Sequence, residues 1–415
     1  MDEIEIPSHF LCPVSLQLMR DPVTISTGIT YDRESLERWL FSCKNRVCPV
    51  TKQALHGDSD LTPNLTVRRL IQEWCTLNAS RGIERIPTPK PPIDKTQIVK
   101  LIKDAKEFPE MQLKCLKRLR SITLEGERNR SCLEAAGAVE FLVSIVKNYD
   151  SSLLMEIESN EGCEVIKASD EALSILHHIK VSESCLKRIV GNDNEFVESL
   201  VQILKNGSYQ SRTYATMLLK DVFEVADPIH LISLTPEFFA EIVRTLRDQI
   251  SQQATKAALK LLVELCPWGR NRIKAVEGGA VFVLVELLLE SSNKRTSELA
   301  LIVLDQLCGC AEGRAELLNH GAGLAMVSKK IFRVSNAASE RAVRILSSIC
   351  RYSATSRVVQ EMLQVGVVAK LCLVLQLENG YKSKERAREI LRLHARVWRN
   401  HSCIPSHLLS SYPSS

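Results

Sequence analysis

Aromatic residues make up only 5% of this 415-residue chain. Strands of a sandwich or barrel draw on Phe, Tyr and Trp, so the scarcity points away from a large all-β fold. No excess of one charge stands out either: 54 Lys and Arg face 49 Asp and Glu, a formal net charge of +5. A nucleic-acid reader wants a basic stripe with interleaved aromatics, and no nucleic acid is expected as a partner. The longest apolar run, Gly278 to Leu289, is broken by Glu286 and is too short to span a bilayer, so no integral membrane segment is expected. The first ten residues are acidic and contain Pro7, which does not read as a secretory signal. The chain also lacks G-x-S-x-G, a P-loop, H-E-x-x-H and a kinase signature. No covalent catalytic residue, no cofactor and no metal are expected.

Cysteine is present but not as a framework. Fourteen cysteines sit at irregular spacing, many among apolar neighbours, as at Cys115, Cys266, Cys308, Cys350 and Cys372. Reduced thiols fit that pattern, and with them a cytoplasmic address, the nucleus being a second one. Residues 1–80 hold Cys12, Cys43, Cys48, Cys75, His9 and His56, with no C-x-x-C pair. A cross-brace of two four-ligand zinc sites needs more ligands, at paired spacings. These cysteines read as small packed residues. His177-His178 lies in an Ala-Leu-Ser-Ile-Leu helical segment and reads as satisfied or surface histidine.

The stretch from Phe10 to Thr51 differs from everything after it. Phe10-Leu11-Cys12-Pro13-Val14-Ser15-Leu16 is an apolar loop in which Pro13 blocks an earlier helix start. Val23 and Ile25 alternate, Gly28 supplies a turn, and Ile29 and Tyr31 return, which predicts a hairpin. Asp32 stands where an N-cap belongs, with Glu34 in the first turn. Leu36, Trp39 and Leu40 then share one helical face. Cys48-Pro49-Val50-Thr51 forms a second loop. Asn64 caps a further helix whose apolar stripe is Val67, Leu70, Ile71 and Trp74.

Residues 79–93 read as a linker, with Pro87, Pro89, Pro91 and Pro92 favouring extended structure. From Asp94 the pattern is helical and repetitive. Asn129-Arg130 leading to Gly137-Ala138-Val139 returns as Asn271-Arg272 leading to Gly279-Ala280-Val281, and more loosely at Gly313-Arg314 to Gly321 and at Ser356-Arg357 to Gly366. Gly279 to Gly321 is 42 residues and Gly321 to Gly366 is 45; Gly137 to Gly279 is 142, close to three periods, with a degenerate copy near Gly191. A period of this size means a stacked helical array, because no single repeat can bury its own apolar faces. The third helix of each repeat is expected over 209–223, 252–266, 294–308, 338–351 and 382–396. Lys256, Arg341 and Arg386 recur at one position of that helix, each before an alanine, while Glu298 holds it in another copy. They read either as solvated charge or as a basic ladder for an acidic or extended peptide. Residues 148–167 read as a polar, flexible insertion, and 401–415 as a tail expected to fray.

In FLCPVSLQLMRDPV, GITYDRESLERWL, CPVT and LTPNLTVRRLI, which run over roughly residues 6–77, the first domain resembles the U-box, the zinc-free relative of the RING domain. The N-R-x-x-x-x-x-x-G-A-V form resembles the armadillo repeat. The order of the two, joined by a short proline-rich linker, resembles one group of plant U-box ubiquitin ligases. The resemblance implies a mainly α fold: a small α+β U-box at 6–78, a linker at 79–93, an armadillo-type α-solenoid at 94–400, and the tail. It implies a ubiquitin ligase that docks a ubiquitin-charged conjugating enzyme, holds a protein substrate in the armadillo groove and passes ubiquitin directly to a substrate lysine. Stress or immune signalling is the implied setting, and homodimerisation is left open. Carried over position by position, Val14, Leu16 and Pro49 match the apolar docking surface, and Cys12 and Trp39 match positions whose integrity the family needs. Lys52 matches a basic residue that bonds both enzyme and ubiquitin, though lysine lacks the fork of arginine. Ser15, Asp21, Arg33, Glu34 and Thr51 are candidates for the polar contacts that replace zinc. The alternative from another class is a non-enzymatic armadillo adaptor with an inactive U-box.

Overall fold

The hairpin around Gly28 forms as its alternation predicts. In the computed structural model β1 (Pro22–Thr24) runs antiparallel to β2 (Thr30–Asp32), Val23 facing Tyr31, and Gly28 makes the turn with φ 78°. The structure describes residues 6–42, 47–55, 61–84, 86–87, 93–149, 160–192, 194–376, 380–399 and 412–413. A third strand, β3 (Thr62–Pro63), pairs with β1 and gives the sheet order β2-β1-β3. Two residues carry no readable alternation, and Pro63 is tolerated because β3 lies at an edge.

After β2 comes α1 (Arg33–Glu37), which continues into a π-helical turn over Arg38–Ser42. Then follows α2 (Leu65–Leu77). Asn64 caps it as expected: its Oδ1 accepts from the Val67 amide at 3.0 Å, and its Nδ2 donates to the Thr24 and Thr30 hydroxyls at 3.2 Å. One side chain thus fixes α2 to the hairpin. Asp32 does not cap α1. Its Oδ1 instead accepts from the Arg20 and Asp21 amides, at 2.8 and 3.0 Å. Those donors in the incoming loop outcompete the helix amides for the carboxylate. The core of the domain is Phe10, Cys12, Met19, Val23, Ile25, Tyr31, Leu36, Cys48, Ile71 and Cys75.

Three helices follow: α3 (Lys95–Glu107), α4 (Pro109–Glu125) and α5 (Glu127–Ala135). Pro109 opens α4 at a position whose amide would have no helical partner. The chain divides into two compact units, residues 1–141 with 178–180, and residues 142–177 with 181–415. The division falls beyond the 79–93 linker because α5 packs on the Arg38–Ser42 turn.

In the second unit five helices stack in series: Tyr209–Val225, Gln252–Leu265, Lys294–Leu307, Asn336–Tyr352 and Tyr381–Leu393. They start within two residues of the expected third helices. Gly279 and Gly366 turn the chain between the shorter helices with φ 82° and 75°, as Gly137 does in the first unit with φ 77°. Gly321 does not take that conformation, and Gly191 lies inside the Glu183–Asn192 helix rather than at a break.

The recurrent Asn-Arg has a physical reason. The last carbonyls of a helix have no partner within it. Asn271 Nδ2 donates to the Leu265 carbonyl and Arg272 Nε to that of Cys266, both at the end of the Gln252–Leu265 helix. Asn129 and Arg130 serve Ile122 and Thr123 of α4 in the same way. Arg314 Nη1 reaches the Cys308 carbonyl.

Two further sequence expectations change. The Asn160–Ile179 helix begins inside the segment read as a loop, while residues 150–159 lie outside the described residues. Tyr412, in the tail expected to fray, is buried and donates its hydroxyl to the Leu391 carbonyl at 2.7 Å, an apolar ring with a satisfied polar tip. The rest of 401–415, apart from Pro413, lies outside the described residues. Among the described residues no single helix is long and apolar enough to cross a membrane.

Candidate functional site

The two loops that flank α1 are built alike. Each begins Cys-Pro-Val. The Cys12 amide donates to the Gln17 carbonyl and the Cys48 amide to that of Gln53, both at 2.8 Å. Leu16 N donates back to Cys12 O at 2.8 Å, and Lys52 N to Cys48 O at 3.0 Å. Leu11 bridges Leu18 across the base of the first loop, and Val47 bridges Ala54 across the second. Cys12 and Cys48 are both fully buried. Neither can touch a partner; each holds its loop from inside.

Sulfur does the holding where a RING would use metal. Cys48 Sγ accepts from Thr51 N at 3.4 Å and lies 3.1 Å from the Tyr31 hydroxyl and 3.6 Å from the Thr27 hydroxyl. Burial opposes ionisation of Cys48, but the donors Thr51, Tyr31 and Thr27 outweigh it and pull the thiol down to about 6. Cys12 is lowered too, burial being outweighed by the Ser15, Asp32 and Val14 amides and the Ser15 hydroxyl. Burial pushes the Tyr31 phenol up, and its bond to Cys48 adds to this.

Charge completes the scaffold. Asp21 Oδ2 pairs with Arg33 Nε at 2.6 Å, while Asp21 Oδ1 pairs with Arg68 of α2. Glu34, a candidate for this cluster, instead pairs with exposed Arg38 at 2.9 Å. Arg68 is the member that sequence reasoning missed, because its partner is 47 residues away.

What the loops present outward is apolar. Val14 is 39% exposed, Leu16 75% and Val50 53%. Pro49 is half-buried beside Val50. Val50 was not among the expected contact residues, although its place after Cys-Pro matches that of Val14. Trp39 is half-buried in the Arg38–Ser42 turn, and its indole N–H donates to the Val47 carbonyl at 2.9 Å. The Lys52 ammonium lies 5.2 Å over the Trp39 ring, a cation–π contact. Helix turn and second loop are therefore tied together by Trp39, and Lys52 sits exposed at the seam.

In the second unit the expected basic ladder is largely paired. Arg341 lies 3.0 Å from Asp305 of the preceding stacked helix, which Arg344 also contacts at 3.0 Å. Arg386 lies 3.5 Å from Glu340. Lys256 is half-buried and has no ion pair among the described residues. Burial pushes the Asp305 carboxyl up in spite of its two arginines.

Known proteins agree with this geometry. Residues 6–80 match the family model of the U-box domain, and residues 97–414 that of the plant U-box protein ARM repeat region. The E3 ubiquitin-protein ligase PUB23 of Arabidopsis thaliana is 56% identical over 99% of this chain and 98% of its own length. PUB22 of the same plant is 56% identical over 99% of both chains, and PUB24 38% identical over 99% of this chain and 96% of its own. A solved structure from a study of cadherin and beta-catenin superposes with a TM-score of 0.57 at 13% identity, covering 79% of this chain and 57% of that one, and shows the armadillo fold alone. The adaptor alternative falls with these matches, since both loops and Trp39 are intact. The chain belongs to the plant U-box proteins with an ARM repeat region and is an E3 ubiquitin-protein ligase.

Proposed function

We propose that Val14, Leu16, Pro49 and Val50 form the surface on which a ubiquitin-charged conjugating enzyme docks. The observation that carries this is the exposure of three large apolar side chains on two loops of the same build. Apolar side chains exposed together mark an interaction site, and a patch this small suits a transient contact from which the spent enzyme leaves. Trp39 and Lys52 rim it. The two lowered thiols, Cys12 and Cys48, are fully buried and hold their loops from inside, and burial pushes the Cys266 thiol up to about 12. In this reading the U-box acts as a scaffold without a covalent intermediate: it holds the charged enzyme and a substrate lysine attacks the thioester, with rate gained from proximity and orientation.

The stacked helices of the second unit are the substrate-holding element in this reading, with Lys256 as the ladder position that has no ion pair among the described residues and Arg341 and Arg386 held by their acidic partners. Buried thiols support the cytoplasm as the place of action, the nucleus being second. Stress or immune signalling rests on the resemblance to plant U-box ligases, and a homodimer is the remaining partner expectation, read by sedimentation equilibrium. The decisive experiment is discharge of a charged conjugating enzyme by the full chain and by a Val14→Arg variant.

A further inference from the structure

Five residues of alternating charge run through the first unit: Arg68, Asp21, Arg33, Glu37 and Arg128. Asp21 joins the two arginines of the U-box. Glu37 Oε1 then lies 3.8 Å from Arg33 Nη1 and 3.9 Å from Arg128 Nη1. The five side chains keep between 12% and 27% of their exposure, so solvent screens these pairs only in part. Four members belong to the U-box. Arg128 is the one from outside it, on α5 of the helical region.

We propose that Arg128 is a positioning residue for ubiquitin transfer: through Glu37 it pins α5 against the turn that carries Trp39 and so fixes the docking surface on the α3–α5 helices. Glu37 ends α1 and directly precedes the Arg38–Ser42 turn, and α5 packs on that turn. Among the described residues neither Arg33 Nη1 nor Arg128 Nη1 has a hydrogen-bond partner, so both nitrogens look to the Glu37 carboxylate for charge compensation. Burial already pushes the Glu37 carboxyl up, against the pull of Arg33 and Arg128. Loss of Arg128 makes that carboxylate harder to keep and loosens the joint. The U-box keeps its own cluster around Asp21, so the joint can fail while the docking loops stay built.

The proposal rests on the docking reading above, and the test separates the two. Full-length wild type, Arg128→Glu, Arg128→Lys and Glu37→Gln are compared. One readout is discharge of the charged conjugating enzyme onto free lysine, which needs only the docking loops. The other is hydrogen exchange over residues 33–42 and 127–135. We expect unchanged discharge in all variants, with exchange in both segments faster by about fivefold in Arg128→Glu and Glu37→Gln, a coupling at the low end of the usual range. Arg128→Lys, which keeps the charge, should retain most of the protection. Where the wild type also modifies its own lysines, that yield should fall relative to discharge in Arg128→Glu. Exchange unchanged in Arg128→Glu, or protection lost equally in Arg128→Lys, overturns the joint. Discharge that falls in step with exchange makes Arg128 part of the U-box fold and overturns the positioning role. A wild type that discharges nothing counts against the docking reading, while the exchange data still decide the joint.

Discussion

Leu16 and Lys52 take the same left-handed backbone, φ 56° and 60°, at the same step of two loops. A side chain there costs on the order of 1–2 kcal/mol against glycine. Both residues nonetheless carry long side chains into solvent. Strain kept at a site of exposure implies that the side chain is needed for contact. Leu16→Gly should hold or raise the melting temperature while conjugating-enzyme binding weakens about tenfold, the loss of one buried leucine at an interface. Binding unchanged in Leu16→Gly removes Leu16 from the docking surface. Thermal denaturation and titration calorimetry on one preparation give both numbers.

Asp21 is shared by Arg33 and Arg68. Asp21→Asn leaves the largely buried Arg68 guanidinium without its counter-charge and Arg33 with only the more distant Glu37. Breaking such a pair from one side costs about 3 kcal/mol. Chemical denaturation followed by Trp39 and Trp74 fluorescence should show the loss, and conjugating-enzyme discharge should fall with it because the loops lose their frame.

Cys48 makes the domain pH-sensitive. Its folded pKa of about 6 lies below the usual thiol value, so the unfolded chain holds the proton over a range where the folded chain has lost it. Stability then rises as pH climbs from about 6 towards the ordinary thiol value and is flat below and above. Urea unfolding at a series of pH values should show that slope, and Cys48→Ser should reduce it to the part supplied by the lowered Cys12 thiol. A slope undiminished by the substitution assigns it to another group.

The position of the basic ladder was readable, but its pairing was not. Arg341 compensates Asp305, whose side chain is only 6% exposed. Arg341→Ala should lower stability by about 1 kcal/mol, modest because Arg344 remains and Arg341 is itself a third exposed. Lys256→Ala should leave stability alone and weaken capture of acidic peptides from an array. The opposite pattern would make Lys256 structural.

These cases show what sequence carries. Gly28, the Asn64 cap and the Asn-Arg pairs of the repeats are local signals: a turn, an end of a helix, and donors placed six or seven residues beyond the carbonyls they serve. Glu37 meets Arg33 by ordinary i,i+4 spacing, but Arg68 and Arg128 are not local. They sit on helices whose own periodicity says nothing of Asp21 or Glu37, and only packing brings them there. Asp32 shows the limit of a local rule, since its carboxylate had two sets of amides to choose from and took the loop. Val50 is legible from the sequence: two Cys-Pro-Val loops imply two equivalent valines.

Val14 is where the docking surface is tested most directly. An arginine there places a charge in the apolar patch without touching the buried cysteines that hold the loop. The full chain, a panel of ubiquitin-charged conjugating enzymes and free lysine suffice. The wild type should discharge the thioester, and Val14→Arg, with an unchanged circular dichroism spectrum and melting temperature, should discharge it no faster than buffer. A folded Val14→Arg that discharges at the wild-type rate would contradict the docking surface proposed for this ligase.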